Sequence, residues 1–492
     1  MFAALCLCLA ACGGGDDNAA AGTQTVAGAS TSSGAVAGAA SGASASSASS
    51  SNSGSPASIA GPTAGPTAGS TAGPTAGPTA GPTAGPTAGP TAGPTAGSTG
   101  AAAGATLPPS SGTKPILVAD VTVYPAADGS DQADALQKAF DSLRAGQRLV
   151  IAPGRYVVGH SLAVTVPQAV ISGYGATLAA TNPADQTIVM SGAGSTLVGV
   201  TLAGTGTTRL TTPESTKVEV TGSDVQILGV TIQGGASAGI FVFGGNGIAI
   251  VGNTVRATLA DGIHTTYGST NVLVQNNTVA GTGDDLIAVV SYLGDGRLSG
   301  NVLIDHNAVS GNAWGRGITV VGGQAVTISN NTVDAVEKAA GILVAQEDSW
   351  KTYGSSNVVI TGNIVTNIQT TNANNGLQPT QQGAIELDTW SGTVSDVTVA
   401  DNRVSGSGYA GFRASGNVCS FSVTGNTFSS IAGLPVGLLT NGCAANQIVV
   451  DANRLGDGSL LALPAGASFA GTFAVTGANA SLMPQVRTGL ML

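Results

Sequence analysis

An asparagine returns after one short Val/Ile-rich run after another, at Asn253, Asn277, Asn307, Asn331, Asn363, Asn402, Asn426 and Asn453. The intervals are 24, 30, 24, 32, 39, 24 and 27 residues. A floor of 24 residues with irregular excess is the signature of a coil whose short strands are fixed in length while its corners accept insertions. A parallel β-helix has that construction. The asparagine column has a physical task in it, since an amide buried at a turn can bond backbone and neighbouring amides along the stack.

A second column follows each asparagine: Ile240, Ile263, Ile287, Ile318, Ile342, Ile385 and Phe412, mostly preceded by Gly. These side chains should point inward. Strand alternation then turns Phe241, His264, Thr319, Glu386 and Arg413 outward from the same sheet. Two places before each inward residue stand Ala238, Asp261, Asp285, Arg316, Ala340, Gly383 and Ala410. Charged groups occupy three successive coils of that column, and small residues occupy the rest.

Adjacent coils of such a stack are about 4.8 Å apart, so the carboxylates of Asp261 and Asp285, with Asp284 beside them, should feel one another. Like charges that close raise at least one pKa. A proton-bearing acid beside an ionised carboxylate is what glycoside hydrolysis requires.

Other stretches bound the molecule differently. Residues 13–113 are almost entirely Ala, Gly, Ser, Thr and Pro, with only Asp16 and Asp17 charged, and cannot bury enough apolar surface to offset ordering. The repeated Ala-Gly-Pro-Thr units predict a disordered to semi-extended stalk. Residues 114–492 hold all 16 Lys and Arg and 24 of the 26 acidic residues, an acidic balance that argues against nucleic acid as a partner. The helical period of residues 131–143, with Leu136, Phe140 and Leu143 on one face, predicts an N-terminal capping helix ended by Gly146. Cys419 and Cys443, 24 residues apart, would lie one coil apart, as a disulfide or as two packed thiols. No segment after the first twelve residues is long and apolar enough to span a membrane.

The opening "MFAALCLCLAAC" resembles a bacterial lipoprotein signal ending at Cys12, which implies lipidation of that thiol and an outer-membrane anchor facing the periplasm or the surface. "DGSDQADALQKAF" followed by "RLVIAPGRYVVG" is similar to the N-terminal cap of the pectate-lyase-like right-handed β-helix superfamily. Asp261-Gly262-Ile263, Gly283-Asp284-Asp285-Leu286-Ile287-Ala288 and Gly315-Arg316-Gly317-Ile318 resemble successive coils of its polygalacturonase, dextranase and mycodextranase clan. The resemblance implies an all-β, right-handed parallel β-helix over residues 114–492 that inverts a glycosidic bond, with Asp284 as general acid and Asp261 and Asp285 holding the water. No cofactor is implied.

Two departures bear on the substrate. Arg316 stands where polygalacturonases carry a His, and Leu343 and Ala345 stand where they carry galacturonate-gripping cations. Both point from polygalacturonan towards a neutral glucan. Trp314, Trp350 and Trp390 fall on or just after these coils; Trp314 is a candidate sugar-stacking ring, and His264, Tyr292 and Arg316 are candidate substrate contacts. Glu347, Asp348 and Lys351 read as solvated loop polarity. Two alternatives stay open: a Ca²⁺-dependent lyase with Arg316 as base, and a non-catalytic glycan-binding or adhesin β-helix whose Asp and Arg residues form a structural ladder.

Overall fold

The computed structural model describes residues 118–370, 378–441, 447–465, 467 and 475–491. Cys12, the 13–113 stretch and Cys443 lie outside the described residues. The chain winds as a right-handed parallel β-helix of three sheets, with 13, 12 and 11 strands in the order the coil visits them. A representative turn runs through Asn246–Val251 in the first sheet, Thr254–Arg256 in the second and Ile263–Thr266 in the third. Each strand pairs in parallel with its counterparts one coil before and after.

The interior is a continuous column of Val, Ile and Leu from Leu149 to Val450. In the third sheet Ile240, Ile263, Ile287, Ile318, Ile342, Ile385 and Phe412 lie in register, and all are buried. The capping helix is Ala133–Asp141, shorter than predicted at both ends. Asp131 stands outside it, accepting from the N–H of Ala133 at 2.9 Å and of Gly159 at 3.1 Å, while Leu143 is buried beyond the last turn.

The asparagine column forms as expected. Asn277 Nδ2 donates to Asn307 Oδ1 at 2.9 Å and to the Ile250 carbonyl at 2.9 Å, and the Asn277 N–H donates to the same Asn307 oxygen at 2.9 Å. The pattern repeats from Asn253 to Asn453. The residue before each is left-handed, as at Gly252 (φ 69°), Asn276 (55°), His306 (55°), Asn330 (55°) and Gly362 (66°). From Asn253 to Asn453 this first corner is therefore two residues long, and the uneven intervals arise at the other two.

Replacing Asn331 by Ala should strand the Asn307 amide and the Ile304 carbonyl, both bonded to it in the buried stack. Each buried group left unmatched costs about 1–3 kcal/mol, so a destabilisation of about 2–5 kcal/mol is expected in denaturant unfolding. A change below about 0.5 kcal/mol would mean that the ladder is decorative.

One feature gave no periodic signal. Residues 475–491 run back along the outside of the first sheet, from Asn357, which accepts from the Thr476 N–H at 2.9 Å, to Gly194, whose carbonyl accepts from Arg487 Nη1 at 2.7 Å. Met483, Val486, Leu490 and Met491 pack over Val198, Leu228, Ala249, Val251 and Leu273. Tyr174 Oη donates to the Leu490 carbonyl at 2.8 Å. Cys419 is disulfide-bonded.

Candidate active site

The second corner, between the second and third sheets, carries the acidic column. Carbonyls of Asp261, Asp285, Arg316 and Ala340 accept in turn from the N–H groups of Gly239, Gly262, Leu286 and Gly317, at 3.0 to 3.1 Å, which confirms the stacking. One carboxylate oxygen each from Asp261, Asp284 and Asp285 lies within 4.8 Å of the others, and all three residues are buried.

Each carboxylate has its own partner. Asp261 Oδ2 meets His264 Nδ1 at 2.7 Å; Asp284 Oδ2 accepts from Arg209 Nη1 at 2.7 Å; Asp285 Oδ1 accepts from the Arg316 N–H at 2.6 Å. The remaining Oδ1 atoms of Asp261 and Asp284 have no hydrogen-bond partner among the described residues. A buried acceptor left open at such a cost suits a site that binds something. The turn is braced by Thr282 Oγ1, which donates to the Asp284 carbonyl at 2.7 Å, and by Asn312 Nδ2, which donates to the carbonyls of Trp314 and Arg316.

Burial, then the charges of Asp261 and Asp285, hold Asp284 well above the usual carboxylate range, more than Arg209 pulls it down. Burial likewise raises Asp285 to about 7, against the pull of Arg316 and with a push from Asp261. The pair thus holds its protons to higher pH than ordinary carboxylates do.

Gly315 makes this closeness possible. Its φ is 74°, and a Cβ there would lie 2.5 Å from Asp284 Oδ1 and 2.6 Å from Asp285 Oδ1. Gly315→Ala should destabilise the fold by about 1–3 kcal/mol, through the left-handed φ and the contact with the pair. An unchanged denaturant midpoint would show that the pair is not placed by this contact.

Other predicted residues fall in varied places. Arg316 reaches across the third sheet, Nη2 to Glu347 Oε1 at 2.6 Å. Glu347 is thereby a member of the site, not a solvated loop residue. The Trp314 ring has Lys338 Nζ 4.3 Å from its centroid, so one of its faces is already covered. Tyr292 is buried and packs with Ala288, Val290 and Trp350 in a satellite cluster. His264 is buried and stacks on Phe241, centroids 4.9 Å apart. Outward-facing Phe241, His264, Thr319 and Glu386 on this sheet are thus buried, where simple alternation exposes them to solvent. Arg209 came without a sequence signal, since it arrives on a long loop from three coils upstream.

A recess of about 250 Å³ opens beside Asp285, lined among others by Arg316, Thr319, Glu347, Trp350 and Thr352. Its far wall is formed by two loops at the third corner, paired through the Leu293 N–H to the Lys351 carbonyl at 2.8 Å and the Tyr353 N–H to the Ser291 carbonyl at 3.0 Å.

Burial also sets how stability depends on pH. Asp285 and Glu219 are raised to about 7 and Glu386 to about 8, all chiefly by burial, against Arg413 in the last case. A raised acid holds its proton in the folded state after the unfolded chain has released it, so stability falls as pH climbs from about 4 towards 8. Lys217, lowered to about 7 by burial, works the other way above that pH. The melting temperature should be higher at pH 5 than at pH 8; the reverse order would contradict these assignments.

A family model of the right-handed β-helix region matches residues 185–350 and 290–428. No curated protein sequence matches the chain. Among solved structures, it is similar to the catalytic domain of an α-1,3-glucanase alanine variant with tetrasaccharides, at 15% identity, over 67% of this chain and 68% of that one, TM-score 0.54. A second alanine variant of an α-1,3-glucanase, with nigerose, matches at 15% identity over 68% and 66%, TM-score 0.51. A hyperthermoactive exopolygalacturonase from Thermotoga maritima matches at 13% identity over 68% and 92%, TM-score 0.50. At such identities the likeness is one of fold. Model match, sheet order and structural likeness agree on the fold of this chain, a right-handed parallel β-helix.

Proposed function

We propose that the protein is a glycoside hydrolase acting on a polysaccharide, and the observation that carries the reading is the trio Asp261, Asp284 and Asp285 within 4.8 Å. Asp284, kept protonated by burial and by its two neighbours, gives its proton to the leaving oxygen. Asp261 and Asp285 hold and deprotonate the attacking water. His264 fixes the Asp261 carboxylate through its 2.7 Å contact, and Arg316 fixes Asp285 through its backbone N–H.

Two observations support a neutral glucan. Leu343 and Ala345, at outward positions one coil beyond Thr319 and Val321, are apolar and buried, leaving no cation there for a uronate. The solved structures that this fold resembles include α-1,3-glucanase catalytic domains in complex with tetrasaccharides and with nigerose. A lyase would ask Arg316 to take a sugar proton, but Glu347 engages its guanidinium at 2.6 Å.

The test is product analysis on neutral α-glucans, dextran, polygalacturonate and alginate, following reducing ends and unsaturated products together. Reducing ends without unsaturation are expected. Unsaturated, chelator-sensitive products from a uronan would move Arg316 into the base role, and binding without turnover would favour the adhesin reading. Proton NMR of the first product separates two courses: inversion, with Asp261 and Asp285 holding the water, or retention, which carboxylates within 4.8 Å favour and which would make Asp285 a nucleophile. In the cell we place the β-helix on a lipid anchor at Cys12, held away from the membrane by residues 13–113.

A further inference from the structure

We infer, on the basis of the hydrolase reading, that the site is entered from one side only and shortens its polymer from a chain end, with Arg209 as the residue that shuts the other side. Three observations converge.

The first is the barrier itself. The loop between Thr201–Ala203 and Val218–Val220 is the longest second corner upstream of the acidic trio, and it folds forward over the next coil. Its Leu210 N–H donates to the Ala236 carbonyl at 2.7 Å, and Gly206, with φ 123°, lies against Ala236, where a Cβ would come within 2.8 Å of the alanine's own. Arg209 then reaches a further two coils to Asp284. Its side chain is 28% exposed while that of Asp284 is wholly buried, so the guanidinium stands between the acid and solvent.

The second is what lies beneath. On the two coils upstream of Asp285, Phe241 and His264 are in register on the outward face, stacked on each other and almost fully buried.

The third is where space does exist. The recess beside Asp285 is lined only by Asp285 and residues later in the chain, up to Thr352. The opening beside the acids thus faces the downstream coils, away from the Arg209 loop. A polymer passing through would need open sheet on both sides of the scissile bond. Here one side is sealed by an ion pair across three coils.

The experiment follows product size and viscosity from the first minutes, on the polysaccharide that the protein hydrolyses and on the same polymer with its chain ends chemically blocked. One small product, slow loss of viscosity and resistance of the end-blocked polymer are expected. Arg209→Ala should convert this to a spread of oligosaccharides and attack on the end-blocked polymer. A spread of products from the unaltered protein would overturn the inference and leave the hydrolase reading standing. Unchanged product sizes in a folded Arg209→Ala variant would remove Arg209 from the role. Absence of hydrolysis on every polymer would overturn the hydrolase reading, and this inference with it.

Discussion

Asp284→Asn is expected to lower kcat on polysaccharide about 10²–10⁴-fold, the usual worth of a positioned general acid. Asparagine fills the same space between Arg209 and the Thr282-braced turn but has no proton to give. The loss should depend on the leaving group. An aryl glycoside whose phenol departs without protonation should be cleaved by Asp284→Asn far better than the polymer is, whereas Asp285→Asn should lose both. Equal loss on both substrates for Asp284→Asn would take the proton-donor role away from it. The pH profile offers a second check. Activity should rise as Asp285 ionises, near its value of about 7, and fall where Asp284 finally releases its proton. Because the two groups interact, the limbs report the pair and not either residue alone. Asp284→Asn should abolish the falling limb.

Removal of residues 475–492 is the second large expected effect. The segment covers Val198, Leu228, Ala249, Val251 and Leu273, and its loss would open that apolar strip to water. Burying a side chain of this kind contributes about 1.5–3 kcal/mol when complete. With partial cover lost over five positions, a destabilisation on the order of 5 kcal/mol is expected, with a fall in melting temperature of about 5–15 °C. The exposed strip should also promote association. Thermal unfolding and light scattering of the truncated chain test this; an unchanged transition with a monodisperse sample would show that the segment rests on the sheet without holding it.

Periodicity decided what could be read from the sequence. The asparagine and isoleucine columns and the acidic column repeat with the coil, so Asn253 to Asn453, Ile240 to Phe412 and the stacking of Asp261 on Asp285 were legible. Groups that act across coils were not. Arg209 sits in an irregular loop, Glu347 in a corner that resembled ordinary solvated polarity, and residues 475–491 run perpendicular to the strands they cover. Burial was misjudged for one related reason: alternation tells which way Phe241, His264 and Leu343 point, not what packs against them. Trp314 illustrates the same limit, since the cation over its ring comes from Lys338 on the following coil.

The first corner behaves as a clock. Whatever length of chain the other two corners add, each coil is returned to the same phase by a left-handed residue and an asparagine, so an insertion at one level does not shift the strands of the next. The interval of 39 residues from Asn363 to Asn402 keeps its place between neighbours as faithfully as an interval of 24. Recognition loops can therefore be lengthened, exchanged or deleted beside the acids while the timing of the scaffold is untouched. A residue added at the asparagine corner itself would instead break the amide ladder at that level.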